Sequence, residues 1–538
     1  MTVYWLLDLT VDGRVYRLAD SDLEVVRDDG EILHYTAGLE VEPVTESISL
    51  LSASVTATEA QVRIWIDGMT TQTLLRGRGE VSRWVEGTTW ERRRRLLAGA
   101  CQSPEMTTPA EGIGLTISQD PWQDYVMMIP PSAVISADTW AVPVATLLDA
   151  EGGAEIPAGA IVIGSPGAVS NASIPAWVTT WLYHGALEAT ASSVFGYEMV
   201  ALYLCCHHIE ATQVRITTET DTIGVDVRVL NTWDDQGQPV AVCPFFFSSN
   251  RVPEDIYGTG FSYLFGNHAT TPTVYGLGHG SLAPAYNVDE TQPAMYAALQ
   301  DGYGLMVDGV PLRAAGDVLA WALSQSSASC DRRVMAGALG FLSSYMIDTV
   351  IATQSESGPW AWISAVLLPI LPCSLASGPD GLYVVPIALD VTEVDCVARL
   401  DSRRPDVEAR GLTWDSSQRA RSITVEYNYN VKTAVYTRKK MCVSASVAAA
   451  SFITSASALL TGASAPRAHP SLTLAEHWAG GVASGRDVVI STGAVYDSAT
   501  ADLIAYTLAR IYALPIGHVT FLLPESDALF FALRRGSV

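Results

Sequence analysis

Residues 421–441 read RSITVEYNYNVKTAVYTRKKM. The first ten alternate without a break. Ile423, Val425, Tyr427 and Tyr429 fall on one face, and Thr424, Glu426, Asn428 and Asn430 on the other. A period of two marks a strand with one face buried and the other in water. The stretch then turns basic at Arg438, Lys439 and Lys440, in a chain whose formal net charge is −25. An exposed strand lined with tyrosine, late in an acidic chain, fits a sheet that pairs with something. Tyr427 and Tyr429 suit a pleated surface in their own right. Together with the three cations they are candidates for an interface.

The same reading extends outward from this strand. Residues 391–538 are predicted to be strands followed by a late helix and a closing strand. In "DSATADLIAYTLARIYALP", Asp497 or Ser498 is the N-cap, and Ala501, Ile504, Leu508 and Ile511 line one face. "GHVTFLLP" is the closing strand. Upstream, residues 305–390 are predicted to form a small α+β unit. Val318, Leu319, Ala322 and Leu323 share a helix face, and Asp331 caps a second helix with Val334, Leu339, Leu342 and Met346. Pro359 opens a third, with Trp360, Ile363, Leu367 and Ile370 inward, before the hairpin turn of "PDGLYVVPIALD".

Residues 121–304 are rich in Pro and Gly. Strands such as "AIVIGS", "MVALYLCC" and "TQVRITT" make them a β-rich insert. Residues 1–120 are short strands about ten residues apart, a small barrel or sandwich. Asp12-Gly13 sits between "YWLLDLTV" and "RVYRLA", a hairpin signal, and "AQVRIWIDG" alternates Val62, Ile64 and Ile66 against polar neighbours. The expected organisation is therefore 1–120, 121–304, 305–390 and 391–538, mainly β with one α+β unit.

Composition narrows the function. Of 538 residues, 49% are hydrophobic and 17% charged, enough for large cores and for surface buried against other subunits. The 57 acidic residues against 32 Lys and Arg exclude the basic footprint of a sequence-specific nucleic-acid binder and of docking on anionic lipid. Eight dispersed cysteines with no CxxC are read mostly as buried thiols of a protein assembled in a reducing cytoplasm. The first residues have no basic n-region or apolar h-region, so a signal peptide is not expected there. Residues 359–373 are too short to span a bilayer and are broken by Pro369 and Pro372. Residues 443–466 are uncharged but mostly small and polar, so stable membrane insertion is not expected.

Chemical motifs are absent: no GxSxG, GxxxxGK[ST] or HExxH. In "LYLCCHHIE", a continuing strand puts Cys205 and His207 on one face and Cys206 and His208 on the other, and Cys243 lies further along. Cys205, His207 and Cys243 are weak metal candidates, one ligand short of a closed zinc site. The carboxylate pairs Asp234-Asp235 and Asp8 with Asp12 read as solvated turns. No cofactor and no catalytic residue is predicted. The run Arg92, Arg93, Arg94, Arg95 is the most basic point, either an intersubunit contact with a neighbour's carboxylates or a solvated turn.

Two motifs carry a resemblance. One is Asp497-Ser498-Ala499-Thr500-Ala501, a helix to Tyr512, Leu514-Pro515 and a strand from Val519; the other is "SITVEYNYN" at 422–430. With the N-terminal "TTWERRRRLLAGACQSPEMTTPAEGIGLTISQ", they resemble the baseplate hub proteins of tailed phages. Residues 121–300 stand outside the resemblance. It implies tail-tube-like β-barrel domains at both ends, a homotrimeric ring and a structural role in the virion, with no enzymatic activity. The implied partners are the distal tail or tube protein, the tape measure protein and the central tip or fibre protein, and DNA passes through the ring on ejection. Acidic walls suit such a passage, because they repel the duplex. Two other readings compete. One is a receptor- or carbohydrate-binding tail protein with Trp-rich loops such as "NTWDDQGQ"; the other is a tail-tip cell-wall hydrolase.

Overall fold

A computed structural model describes residues 2–42, 59–106, 108, 112–119, 134–135, 156–157, 160–166, 174–182, 198–218, 225–233, 239–246, 295–325, 339–351, 362–387, 408–415, 420–430, 433–443, 486–512 and 516–522. The described chain is mainly β, with strands over 53% of it, few helices and several sheets.

The N-terminal sheet is built from β1 (Val3–Val11), β2 (Arg14–Ala19), β3 (Leu23–Val26), β4 (Ile32–Ala37), β5 (Leu39–Val41), β6 (Glu59–Ile64), β7 (Arg78–Val85), β8 (Arg94–Glu105) and β9 (Ile113–Gln119). Asp12 (φ 48°) and Gly13 (φ 79°) make the left-handed two-residue turn expected between β1 and β2. The strand order is β3-β4-β2-β1-β7-β8-β9-β6-β5. Leu7, Leu9, Val62, Val81, Leu97, Leu115 and Ile117 are buried on its inner side, with Leu74 of the short helix α1 (Thr71–Leu74). Leu6, Val25, Leu33, Tyr35 and Trp84 make a second, smaller core on the outer side, under the β3–β4 hairpin.

The expected closed barrels are not found. Among the described residues no sheet closes. The N-terminal sheet comes near to it through the chain itself. Consecutive β4 and β5 lie in different parts of the strand order, joined at Gly38. Gly38 N–H donates to Ala19 O, and its carbonyl accepts from Trp65 N–H, both at 3.0 Å. At φ +147°, with Trp65 O 2.9 Å from where a Cβ would stand, that corner needs glycine. The sheet curls, and β3 remains a free edge among the described residues.

Two short strands follow, β10 (Val134–Ile135) and β11 (Ile156–Pro157), then β12 (Ile161–Ile163). A seven-stranded sheet occupies the middle of the chain: β13 (Ile174–Leu182), β14 (Glu198–Cys205), β15 (Gln213–Thr218), β16 (Val225–Arg228), β17 (Leu230–Trp233), β18 (Pro239–Phe246) and β19 (Met295–Leu299). Its order is β16-β15-β19-β13-β14-β18-β17.

The remaining elements are β20 (Met306–Val307), β21 (Val310–Pro311), helix α2 (Ala315–Ser324), β22 (Thr349–Ile351), β23 (Cys373–Gly378) and β24 (Gly381–Pro386). They are followed by β25 (Glu408–Asp415), β26 (Ala420–Asn430), β27 (Val435–Val443), β28 (Arg486–Ser491), helix α3 (Ser498–Tyr512) and β29 (Ile516–Leu522). One core gathers Ile161 and Ile163 of β12, the buried face of α2, Ile363 and Leu367, β23–β24, Ile423, Val425 and Tyr427 of β26, and Ile504 and Leu508 of α3. The face predicted for α2 is the buried one. Where a third α-helix was expected, Ile363–Leu367 is a π-helical turn with Leu368 N–H bonded to Ile363 O at 2.9 Å. Pro369 has no N–H with which to continue an α-helix. Residues 331–338 of the second expected helix lie outside the described residues, as do Asp234-Asp235 and residues 444–485.

The described C-terminal strands form two small sheets, β25–β29 and β27-β26-β28, neither of them closed. β26 pairs antiparallel with β27 and parallel with β28. α3 packs on the β26 side that carries Ile423, Val425 and Tyr427. Asp497 caps it, its Oδ2 accepting from Thr500 N–H at 2.8 Å. No helix among the described residues is long and apolar enough to cross a membrane.

Candidate functional site

The alternation of residues 423–429 becomes geometry in β26. Tyr427 is 2% exposed and part of the core, while Thr424, Glu426 and Asn428 face outward, half-buried. Tyr429 reaches across to Tyr436 of β27, ring centroids 4.9 Å apart. Its carbonyl accepts from the Tyr496 hydroxyl at 2.8 Å. Both tyrosines thus serve packing within the chain.

The register fixes the cations one by one. Val425 opposes Lys440, Glu426 opposes Lys439, and Tyr427 opposes Arg438. Lys440 is drawn to the α3 side, where Nζ meets Asp502 Oδ2 at 2.8 Å. That hydrogen bond raises the Lys440 pKa. Arg438 and Lys439 are exposed on β27, which among the described residues is an edge strand paired with β26 alone. On the outer face, Met441, Thr424 and Val489 stand in one row across the three strands. Met441 is 66% exposed and Val489 58%. At the far edge, Arg421 and Ser422 hold Asp487, with Arg421 Nε 2.8 Å from its Oδ1. The Arg421 hydrogen bond leads in lowering the Asp487 pKa to about 2.

The arginine run has a different fate. Arg92 ends a 3-10 turn and is exposed. Arg93 stacks on Trp90, its guanidinium carbon 3.3 Å from the ring centroid, and bonds Glu80 at 2.6 Å. Arg94 is buried at the start of β8. Arg95 takes the other oxygen of Glu80 at 2.8 Å and also reaches Asp380 in the β23–β24 turn. Three of these four arginines thus lie within the fold, and Arg95 ties the N-terminal sheet to the α+β unit.

Glu80 lies opposite Asp8 on the neighbouring strand. The Tyr35 hydroxyl donates to Asp8 Oδ1 at 2.9 Å and accepts from Trp90 Nε1–H at 2.8 Å. Burial raises the Asp8 pKa against the pull of Tyr35, Arg93 and Arg17. Asp12, read as its partner, is exposed in the turn.

At the Cys-His stretch, β14 ends at Cys205, and Cys206 and His207 form a bend. His207 is 8% exposed. Its Nε2 accepts from Val162 N–H at 2.9 Å, and its Nδ1 lies 2.8 Å from His208 O. A neutral ring with the proton on Nδ1 satisfies both, so neither nitrogen has a lone pair to offer a metal. Burial lowers its pKa to about 4. Cys205 opposes Ala241 on β18, and Cys243 opposes Leu202. Among the described residues no three His, Cys, Asp or Glu side chains gather as a metal site. Burial lifts Cys101 to about 11 and Cys206 and Cys373 to about 12, which leaves those thiols protonated and inert at neutral pH.

One polar centre was not foreseen. Asp348, 1% exposed, takes Arg313 bidentately at 2.8 and 3.0 Å and accepts from Ser165 N–H at 2.9 Å. Its own N–H donates to Ala494 O at 2.9 Å. Gly164, at φ +67°, leaves room beside the carboxylate that a Cβ would fill. The pair joins the loop after β12, the lead into α2, the lead into β22 and the loop before α3. No spacing rule flags a pair whose members belong to separate local patterns. No protein-family model matches the chain, and no curated protein matches it.

Proposed function

We propose that the chain is a structural ring subunit of a phage tail end, a baseplate hub with no catalytic role. Its tube-like sheets stand at the two ends of the polypeptide. The carrying observation is the pair of end sheets. The curled N-terminal sheet keeps β3 as a free edge, and the three-stranded C-terminal sheet keeps β27 free, among the described residues. Free edges are a liability in a monomer and a joint in an assembly. Three copies contribute six such sheets, a number suited to a six-fold tail tube. In this reading the neighbours are the distal tail or tube protein, the tape measure protein and a central tip or fibre protein. The site of action is the virion, after assembly in the host cytoplasm. The acidic balance of 57 to 32 suits a passage that DNA traverses without sticking.

Mass measurement in solution, with averaged electron micrographs of the same sample, tests the reading. Three copies around an open centre are expected. A monomer that stays monomeric at every attainable concentration, and that a purified tail-tube ring fails to recruit, overturns it.

A further inference from the structure

The edges differ in charge, and the difference names which joins which. β27, VYTRKKMCV, has three cations and no carboxylate. Lys440 is held by Asp502, whereas Arg438 and Lys439 are exposed and have no ion-pair partner among the described residues. The β3–β4 hairpin is the reverse. Residues 20–31 hold Asp20, Asp22, Glu24, Asp28, Asp29 and Glu31 against one cation, Arg27. Arg27 is already shared among Asp29, Glu31 and Glu91. Glu24 on β3 is 69% exposed and, among the described residues, its ion-pair partner is His34, at 3.4 Å.

Both edges also carry apolar side chains in water. Val26 and Ile32 face each other across the hairpin at 46% and 49% exposure, while Val435 and Met441 on β27 stand at 54% and 66%. β5, at the other end of the N-terminal strand order, has only three residues and lies against β1 and β2, so it is no rival edge.

We infer that the β3 edge of a second copy of this chain is the occupant of β27, acidic hairpin against basic strand. Strand addition satisfies the open backbone groups, and opposite charge sets the partner and orientation. The two surfaces are different, so the contact is head-to-tail, and repeating it builds a ring when the rotation closes. The inference rests on the ring reading above and deepens it.

The test is a charge exchange read by sedimentation of the full chain. R438E/K439E is expected to weaken self-association on the order of a hundredfold, because like charges then face each other. E24K/D28K is expected to do the same. Combining all four changes in one chain restores association, since every contact then sets a basic hairpin against an acidic strand. Neutral R438Q/K439Q, which spares the fold most, loses the steep salt dependence of assembly. If the natural chain forms trimers that neither exchange disturbs, the edge pairing is wrong and the ring reading stands. If each double variant dissociates but the chain carrying all four changes does not reassemble, β27 and β3 are not partners. If the natural chain is only ever monomeric, both readings fail together.

Discussion

The two ends of this chain solve the same problem in opposite ways. The N-terminal sheet buries both faces, its inner one under Leu7, Leu97 and Ile117 and its outer one under Tyr35 and Trp84. Arg93 and Arg95 of its arginine run close onto Glu80, with Arg95 going on to Asp380. The C-terminal sheet buries one face under α3. It leaves the other in water and keeps two of its three clustered cations exposed. Density of positive charge along a chain therefore does not identify a docking surface. Arg93 and Arg95 beside Glu80 become structure, as does Lys440 at Asp502, whereas Arg438 and Lys439 on the edge strand remain exposed.

The comparison can be broken most severely at Asp348. Asp348→Ala leaves Arg313 without its carboxylate and Ser165 N–H without an acceptor, deep in the shared core. A loss of about 3 kcal/mol is expected, at the lower end for a buried pair because Arg313 keeps some access to water. Denaturant unfolding followed by two probes should show the α+β and C-terminal body melting early while the N-terminal sheet holds. Simultaneous loss of both would mean that the Arg95–Asp380 contact makes them one cooperative unit. Leu97→Ala is the mirror experiment. Leu97 is fully buried in the N-terminal core, and about 2–5 kcal/mol should be lost there, with the body spared. Asp497→Ala is milder. It removes the acceptor for Thr500 N–H at the start of α3 and should cost about 1 kcal/mol, confined to the body.

Acid should separate the two ends as well. Asp8 has its pKa raised in the folded N-terminal sheet, so its favourable contribution is full below the ordinary carboxylate range and is lost as pH rises through the folded value. His207 has its pKa lowered from 6.5 to about 4, so its contribution is full above about 6.5 and fades as pH falls toward 4. Protonation would set a second N–H against Val162 N–H and loosen β12, which packs in the shared core. Acidification from neutrality should thus weaken the body before the N-terminal sheet. Thermal unfolding across that range checks it, with His207→Gln expected to flatten the dependence of the body alone. A body as stable at pH 4 as at pH 7 would remove His207 from the account.

Much of this was legible in local pattern. The Asp12-Gly13 turn, the 423–427 face, the buried stripe of α2 and the Asp497 cap are each written within a dozen residues, so period and turn chemistry recover them. The partners of the arginines were not legible. Arg95 meets Asp380 across 285 positions, and His207 meets Val162 across 45. Periodicity records which side of an element is buried and is silent on what buries it. The same limit explains the barrels. Alternation announced strands at both ends, but closure depends on how many strands share a sheet, and on corners such as Gly38 that only pairing reveals.

The smallest expected effect is the most discriminating. Lys439 stands on the exposed face of an edge strand opposite Glu426, which already accepts from Ser491 Oγ at 2.8 Å. An exposed charge in such a position contributes little to folding. Lys439→Ala should leave the unfolding midpoint of the isolated chain within error of the natural one. If assembly runs through β27, the same substitution should slow association and blunt its response to salt, because steering acts before contact and is screened by ions. A fold untouched and an assembly rate reduced would separate the two ends by function as well as by packing. A loss of stability with no change in association would place Lys439 among the structural charges, beside Arg93 and Arg95.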